Sequence, residues 1–97
     1  MDVIYHPGVF EDITEAVNWY YKEDPTLVKE LAQKIDSGFH KITDTPETWP
    51  NHKRGFKKFL VDKFPYIIFY KIKTDHIKIF AVAHTSRKPN YWLKRVK

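Results

Sequence analysis

The sequence predicts an α+β fold, a two-layer sandwich in which a helical hairpin packs on an antiparallel sheet in the order β-α-α-β-β-β. Apolar residues recur at helical spacing in the first half of the chain, and runs of β-branched and aromatic residues follow in the second half. Because each layer has an apolar face that needs a partner, the helices should cover one face of the sheet. A chain of 97 residues should form a single domain over residues 1–97.

The first half contains one short strand and two helices. The apolar segment Val3-Ile4-Tyr5 is predicted to be an N-terminal or edge strand. A first helix is predicted from about Val9 to Lys22, because apolar side chains recur every three or four positions there. Asp24-Pro25 predicts the start of a second helix, since Asp suits an N-cap and Pro suits the first helical position. Its apolar stripe consists of Val28, Leu31, Ile35, Phe39 and Ile42.

The second half is predicted to be a loop followed by a three-stranded meander. Prolines and small polar residues predict a loop from Asp44 to Lys53. A strand over 55–61 and a hairpin over 64–84 follow. Strict alternation in the last strand would place Ile77, Ile79, Ala81 and Ala83 on one face, and His76, Lys78, Phe80, Val82 and His84 on the other.

Charge is distributed unevenly along the chain. The net charge is +5, but residues 1–50 carry −6 and residues 51–97 carry +11. This asymmetry favours a basic surface that meets an anionic partner, either nucleic acid or an acidic protein segment. The alternative is that lysines on strand edges only deter aggregation.

Several classes of protein are not indicated. The chain has no cysteine, its histidines lack metal-ligand spacing, and it has no glycine-rich phosphate loop, so we expect no metal and no cofactor. No apolar run approaches the ~18–20 residues of a membrane helix, and the N-terminus does not resemble a signal peptide. We therefore expect a cytoplasmic protein that does not associate with a membrane.

The candidate site residues lie in the second half of the chain. His84 and Arg87 could act as a base and a phosphate clamp, or could be a capped strand end and an ion-pair partner. Two further groups of residues could bind nucleic acid. The alternative is that their aromatic side chains pack against the sheet and their lysines are only solvated. The first group is Arg54, Lys57, Lys58 and Lys63, and the second is the tail with Tyr91, Trp92, Lys94, Arg95 and Lys97.

The chain resembles the RelE/ParE family of toxins from bacterial type II toxin–antitoxin systems. The resemblance is strongest in two sequence motifs, the first spanning Phe64 to Tyr70 and the second Ile79 to Trp92. These motifs are similar to those of the ParE-like branch of the family. The resemblance implies a growth-inhibiting toxin of the kind used in plasmid stabilisation. It also implies a cognate antitoxin, with an acidic segment suited to the basic half, and a toxin–antitoxin hetero-oligomer.

The resemblance implies two different targets. ParE-type members poison DNA gyrase through protein contacts and are not nucleases, and this is the target we expect. RelE-type members are ribosome-dependent endoribonucleases that cleave mRNA, and on that alternative Arg54, His84, Arg87 and Tyr91 would be the catalytic residues. A non-catalytic nucleic-acid-binding module is a further alternative.

Overall fold

The chain folds as predicted in element order. A computed structural model describes residues 1–96, so that Lys97 of the basic tail lies outside the described residues. The elements are β1 (Asp2–Tyr5), α1 (Gly8–Glu23), α2 (Val28–Asp44), β2 (Lys57–Leu60), β3 (Tyr66–Ile72) and β4 (His76–His84). Short 3₁₀ segments occupy Pro25–Leu27, Lys53–Gly55 and Tyr91–Arg95. The predicted helical hairpin, the edge strand β1 and the β-α-α-β-β-β order are confirmed.

The sheet is mixed and not purely antiparallel. Its strand order is β1-β4-β3-β2. β2, β3 and β4 form the predicted antiparallel meander, but β1 lies parallel to β4, with Val3 opposite Ile77. The prediction of an all-antiparallel sheet was therefore wrong for one strand. β1 pairs with the strand most distant from it in sequence, and nothing local in Val3-Ile4-Tyr5 reveals that partner or its direction.

A bulge in β4 changes which side chains face the helices. Phe69 is paired with Ala81 while Tyr70 is paired with Ile79, so that Phe80 is an extra residue in β4. As a result Ile79 and Val82 both lie in the cluster beneath the helices. The residues Phe80, Ala81 and Ala83 lie in a cluster on the far face, which is the face of the sheet away from the helices. The predicted strict alternation therefore fails beyond Phe80, because an inserted residue reverses the facing of all residues after it.

Each face of the sheet has its own apolar core. On the helical side, Gly38 allows α2 to approach the sheet, since a Cβ there would lie 2.9 Å from Cδ1 of Ile68. On the far face, Trp92 is fully buried and stacks on Phe69 with ring centroids 4.5 Å apart. The two-layer sandwich is confirmed, and the C-terminal 3₁₀ segment covers part of its other side. Within residues 1–96, no helix is long and apolar enough to cross a membrane.

Candidate functional site

The exposed edge of β4 is where the candidate site forms. β1 ends at Tyr5, and its last hydrogen bond to β4 is donated by the His6 N–H to the Ile79 carbonyl at 2.9 Å. β4 continues for five more residues, to His84. In the described part of the chain, no strand pairs with this continuation on the β1 side. Side chains of α1 and the C-terminal segment take that place.

A buried ion pair closes the first part of this edge. The Asp12 carboxylate of α1 receives two hydrogen bonds from the Arg95 guanidinium, both 2.8 Å long. Asp12 also accepts the Val82 N–H at 2.9 Å, and Arg95 donates to the Phe80 carbonyl at 2.9 Å. The pair therefore satisfies backbone groups that the bulge and the short β1 leave free. The hydrogen bonds to Asp12 raise the pKa of Arg95, which keeps the guanidinium charged.

A groove of about 390 Å³ lies between α1 and the next part of the β4 edge. We call it the α1–β4 groove. It is lined by Asp12, Glu15, Ala16, Trp19, Tyr66, Val82, His84, Ser86, Arg87 and Tyr91. The groove thus brings together three of the four predicted nuclease residues, His84, Arg87 and Tyr91. The fourth, Arg54, does not line it.

His84 is held in one tautomer by its neighbour. Its Nδ1 accepts the Ser86 backbone N–H at 3.0 Å and is 2.7 Å from the Ser86 hydroxyl oxygen. Its ring meets that of Tyr66 edge-on, with centroids 5.1 Å apart. An imidazole that accepts at Nδ1 carries its proton on Nε2, an assignment that follows from the hydrogen bonds. Nε2 then has no free lone pair with which to remove a proton from a substrate.

Arg87 and Tyr91 form a stacked pair at the rim of the groove. The Arg87 guanidinium carbon lies 4.0 Å from the centroid of the Tyr91 ring, and Nη1 of Arg87 donates to Glu15 at 3.2 Å. The Tyr91 hydroxyl donates to Asp12 at 3.2 Å. Burial, followed by the charge of Asp12, raises the pKa of Tyr91 to about 12. The phenol is therefore neutral at physiological pH and has its proton directed into the protein.

The remaining predicted binding residues are divided between the framework and the surface. Trp92 is fully buried and Arg95 is bonded to Asp12, so both side chains pack within the protein, which is the alternative that the sequence left open, and a binding role for either stays a prediction. Lys57 donates to the Trp49 carbonyl at 2.9 Å and to Asn51 at 3.0 Å, which fastens the loop before β2.

Three other lysines remain at the surface. Lys63 pairs with Glu30 at 2.7 Å. Lys58 lines a separate shallow groove with Leu60 and Ile67, and Lys94 is exposed on the C-terminal 3₁₀ segment. A surface role for Lys58, Lys63 and Lys94 stays a prediction.

The sequence reasoning missed several residues that the fold makes prominent. Asp12 is one of them. It lies four residues before Ala16, on the same face of α1, and a carboxylate on the buried face of a helix is a signal that could have found it. Trp19 is another, because it is 56% exposed and lies in the groove. Lys71 and Lys78 were not singled out either, and they face each other across β3 and β4. Within residues 1–96, no group of three or more His, Cys, Asp or Glu side chains could hold a metal ion.

The helical hairpin on a four-stranded sheet has a counterpart among solved structures. A structure of the chromosomal ParDE TA system from P. aeruginosa superposes with a TM-score of 0.72 and covers 89% of this chain and 97% of that chain. Its sequence identity is 13%, so it shows the fold alone.

Sequence comparison identifies the family. The model described as "ParE toxin of type II toxin-antitoxin system, parDE" matches residues 3–89, and the chain belongs to this family. Toxin ParE2 of Mycobacterium tuberculosis, in strains CDC 1551 / Oshkosh and ATCC 25618 / H37Rv, is 26% identical over 86 residues. That match covers 88% of this chain and 82% of the relative. The protein is therefore the toxin component of a type II toxin–antitoxin system, and an antitoxin is its partner.

Proposed function

We propose that this toxin inhibits growth by binding DNA gyrase and not by cleaving RNA. One observation carries the proposal: His84 and Tyr91, the two candidate nuclease residues that could transfer a proton, are hydrogen-bonded to other residues of the protein. A general base or acid works best when its pKa lies near the working pH and when its reactive atom is free. Tyr91, with a pKa raised to about 12, donates to Asp12, and His84 accepts at Nδ1 from Ser86. Neither is arranged to activate a 2′-hydroxyl.

The α1–β4 groove has the character of a protein-binding surface. Trp19 is 56% exposed on α1, and Arg87 lies across the same groove. Trp, Tyr and Arg are the residues most enriched among those that dominate protein–protein binding energy. We place the antitoxin segment in this groove too, beside the unpaired edge of β4. The antitoxin would then neutralise the toxin in a hetero-oligomer by covering the surface that contacts the target.

A supercoiling assay with purified gyrase tests the proposal. The toxin alone should inhibit supercoiling, and addition of its antitoxin should restore it. Trp19→Ala should weaken inhibition about tenfold or more, as expected for a central interface aromatic. Tyr21→Ala is the matched control, because Tyr21 is 69% exposed on the same helix and does not line the groove. Undisturbed supercoiling at high toxin concentration would contradict the proposal.

Ribosome-dependent mRNA cleavage is the second candidate, favoured by the presence of His84, Arg87 and Tyr91 in one groove. It predicts cleaved mRNA in a translating extract and loss of cleavage in His84→Ala or Arg87→Ala. The gyrase proposal predicts intact mRNA in the same extract. His84→Gln separates the two further, because it should abolish cleavage by a nuclease, whereas an inhibitor that acts by binding needs no proton transfer at this position and should retain at least part of its supercoiling inhibition.

A further inference from the structure

Two lysines on the far face of the sheet stand directly opposite each other. Lys71 of β3 pairs in register with Lys78 of β4. Among residues 1–96, neither forms a salt bridge with an Asp or Glu side chain. Like charges directly opposite each other in a sheet are destabilising. Cation–π contacts of Lys71 with Phe56 and of Lys78 with Phe80 offset part of this repulsion, so two positive charges are held side by side on this face.

The three strands of the meander carry basic residues and no acidic ones. β2, β3 and β4 contain no Asp or Glu, whereas α1 and α2 hold most of the acidic residues of the chain. A third basic residue, Arg54, is next in the chain to Gly55, and a Cβ on that glycine would lie 3.4 Å from Cε of Lys71, so the backbone at Arg54 passes beside the pair. We call Arg54, Lys71 and Lys78 the far-face basic patch. The hairpin turn beside it carries one carboxylate, Asp75, which bonds to His76 at 2.7 Å.

The surroundings of the patch indicate which anion fits it. Lys71 Nζ lies 4.5 Å from the Phe56 ring centroid and Lys78 Nζ lies 5.0 Å from that of Phe80. These rings are 1% and 3% exposed, so they offer no apolar contact to a protein partner and no stacking surface to unpaired bases. Duplex DNA needs neither, because Lys and Arg side chains can contact its phosphates without any apolar or stacking contact to its bases, which remain stacked.

We propose that the far-face basic patch binds the phosphate backbone of double-stranded DNA without reading its sequence. The patch lies on the opposite side of the sheet from the helices, whereas the α1–β4 groove is formed by a helix. A toxin could therefore contact a protein through the groove while the patch holds DNA. The inference goes beyond the proposed function and does not depend on it, because the ligand is DNA itself.

Fluorescence anisotropy with a labelled short duplex, in two unrelated sequences, tests the proposal between about 50 and 200 mM salt. The wild-type toxin should bind both sequences equally, with an affinity that falls as salt rises. Lys71→Gln/Lys78→Gln should weaken binding about tenfold or more at low salt and reduce the salt slope by about 2, since each phosphate contact contributes about 0.9. Its melting temperature should stay close to that of the wild type, because the lost repulsion and the lost cation–π contacts offset each other, and this excludes loss of binding through unfolding.

The control variant is Lys22→Gln/Lys29→Gln, which removes the same charge from exposed positions on the helices. It should change affinity less than about threefold and leave the slope unchanged, because its lysines do not face the DNA. Equal weakening by both variants would show an effect of net charge only and would overturn the proposal. If the wild type does not bind either duplex at low salt, the proposal is also overturned. It is overturned as well if the patch variant still binds duplex DNA but loses binding to polyglutamate or to single-stranded RNA, because the patch would then serve a different anion. A wild-type toxin that inhibits supercoiling but binds neither duplex would contradict this proposal and leave the gyrase proposal standing.

Discussion

Replacing Arg95 by Met should destabilise the toxin more than any change at its exposed ion pairs. The guanidinium makes two 2.8 Å bonds to Asp12, and the two side chains are only 12% and 4% exposed. Met retains much of the aliphatic volume of Arg but leaves the Asp12 carboxylate buried without a cation. Breaking one side of a buried ion pair costs about 3–5 kcal/mol. For a domain of this size that lowers the melting temperature by roughly 12 °C or more.

A double-mutant comparison separates the unpaired charge from lost packing. Asn at position 12 is neutral and can still accept the Val82 N–H, which Asp12 accepts at 2.9 Å. Asp12→Asn/Arg95→Met should therefore be about 1–3 kcal/mol more stable than Arg95→Met alone, because no buried charge is left. Chemical denaturation monitored by far-ultraviolet circular dichroism measures all the variants.

Arg87→Met serves as the control for this experiment. It breaks the pair with Glu15, in which the side chains are 46% and 69% exposed. An exposed pair of this kind contributes at most about 1 kcal/mol. The reasoning is refuted if Arg95→Met costs no more than Arg87→Met, or if the double variant is no more stable than Arg95→Met.

Three further predictions concern the core, the far face and pH. Gly38→Val should lower the free energy of unfolding by about 2 kcal/mol or more, because its Cβ would lie 2.9 Å from Ile68; an unchanged denaturation midpoint would contradict the close approach. Lys71→Gln should change the free energy of unfolding by less than about 1 kcal/mol, because the lost repulsion with Lys78 and the lost cation–π contact with Phe56 offset each other; a larger change in the denaturation midpoint would contradict this balance. Burial raises the pKa of Tyr91 to about 12 from an ordinary value of 10. Its stabilising contribution is therefore complete below pH 10 and is lost between pH 10 and 12, because the unfolded state releases the proton first. Tyr91→Phe should reduce the loss of stability over this range in alkaline denaturation, and an identical loss in both proteins would refute the assignment.

Local sequence signals predicted the elements well because each signal acts within a few residues. The boundaries predicted for α1, about Val9 to Lys22, differ from the observed Gly8–Glu23 by one residue at each end. Asp24 does cap the 3₁₀ turn before α2, accepting the Thr26 N–H at 3.2 Å. The parallel pairing of β1 and the bulge at Phe80 were not predicted, since both depend on residues distant in sequence.

The candidate site was predicted only in part. His84, Arg87 and Tyr91 were selected by residue type, and the fold does bring them together. What they can do chemically depends on Ser86, Glu15 and Asp12, which engage their polar groups. Two of those neighbours lie on α1, far from the tail in sequence, so no spacing within the tail could reveal these contacts.

The sequence by itself determined the α+β order, the family and the division of charge into an acidic first half and a basic second half. These properties follow from local periodicity, motif and composition. Tertiary structure alone decided that Arg95 and Trp92 belong to the framework and that Lys71 and Lys78 lie side by side on the far face of the sheet. The physical reason is that strand register and helix packing determine which charges meet a partner and which remain exposed. The sequence alone does not reveal which of its lysines and arginines are bonded within the protein and which can contact a partner.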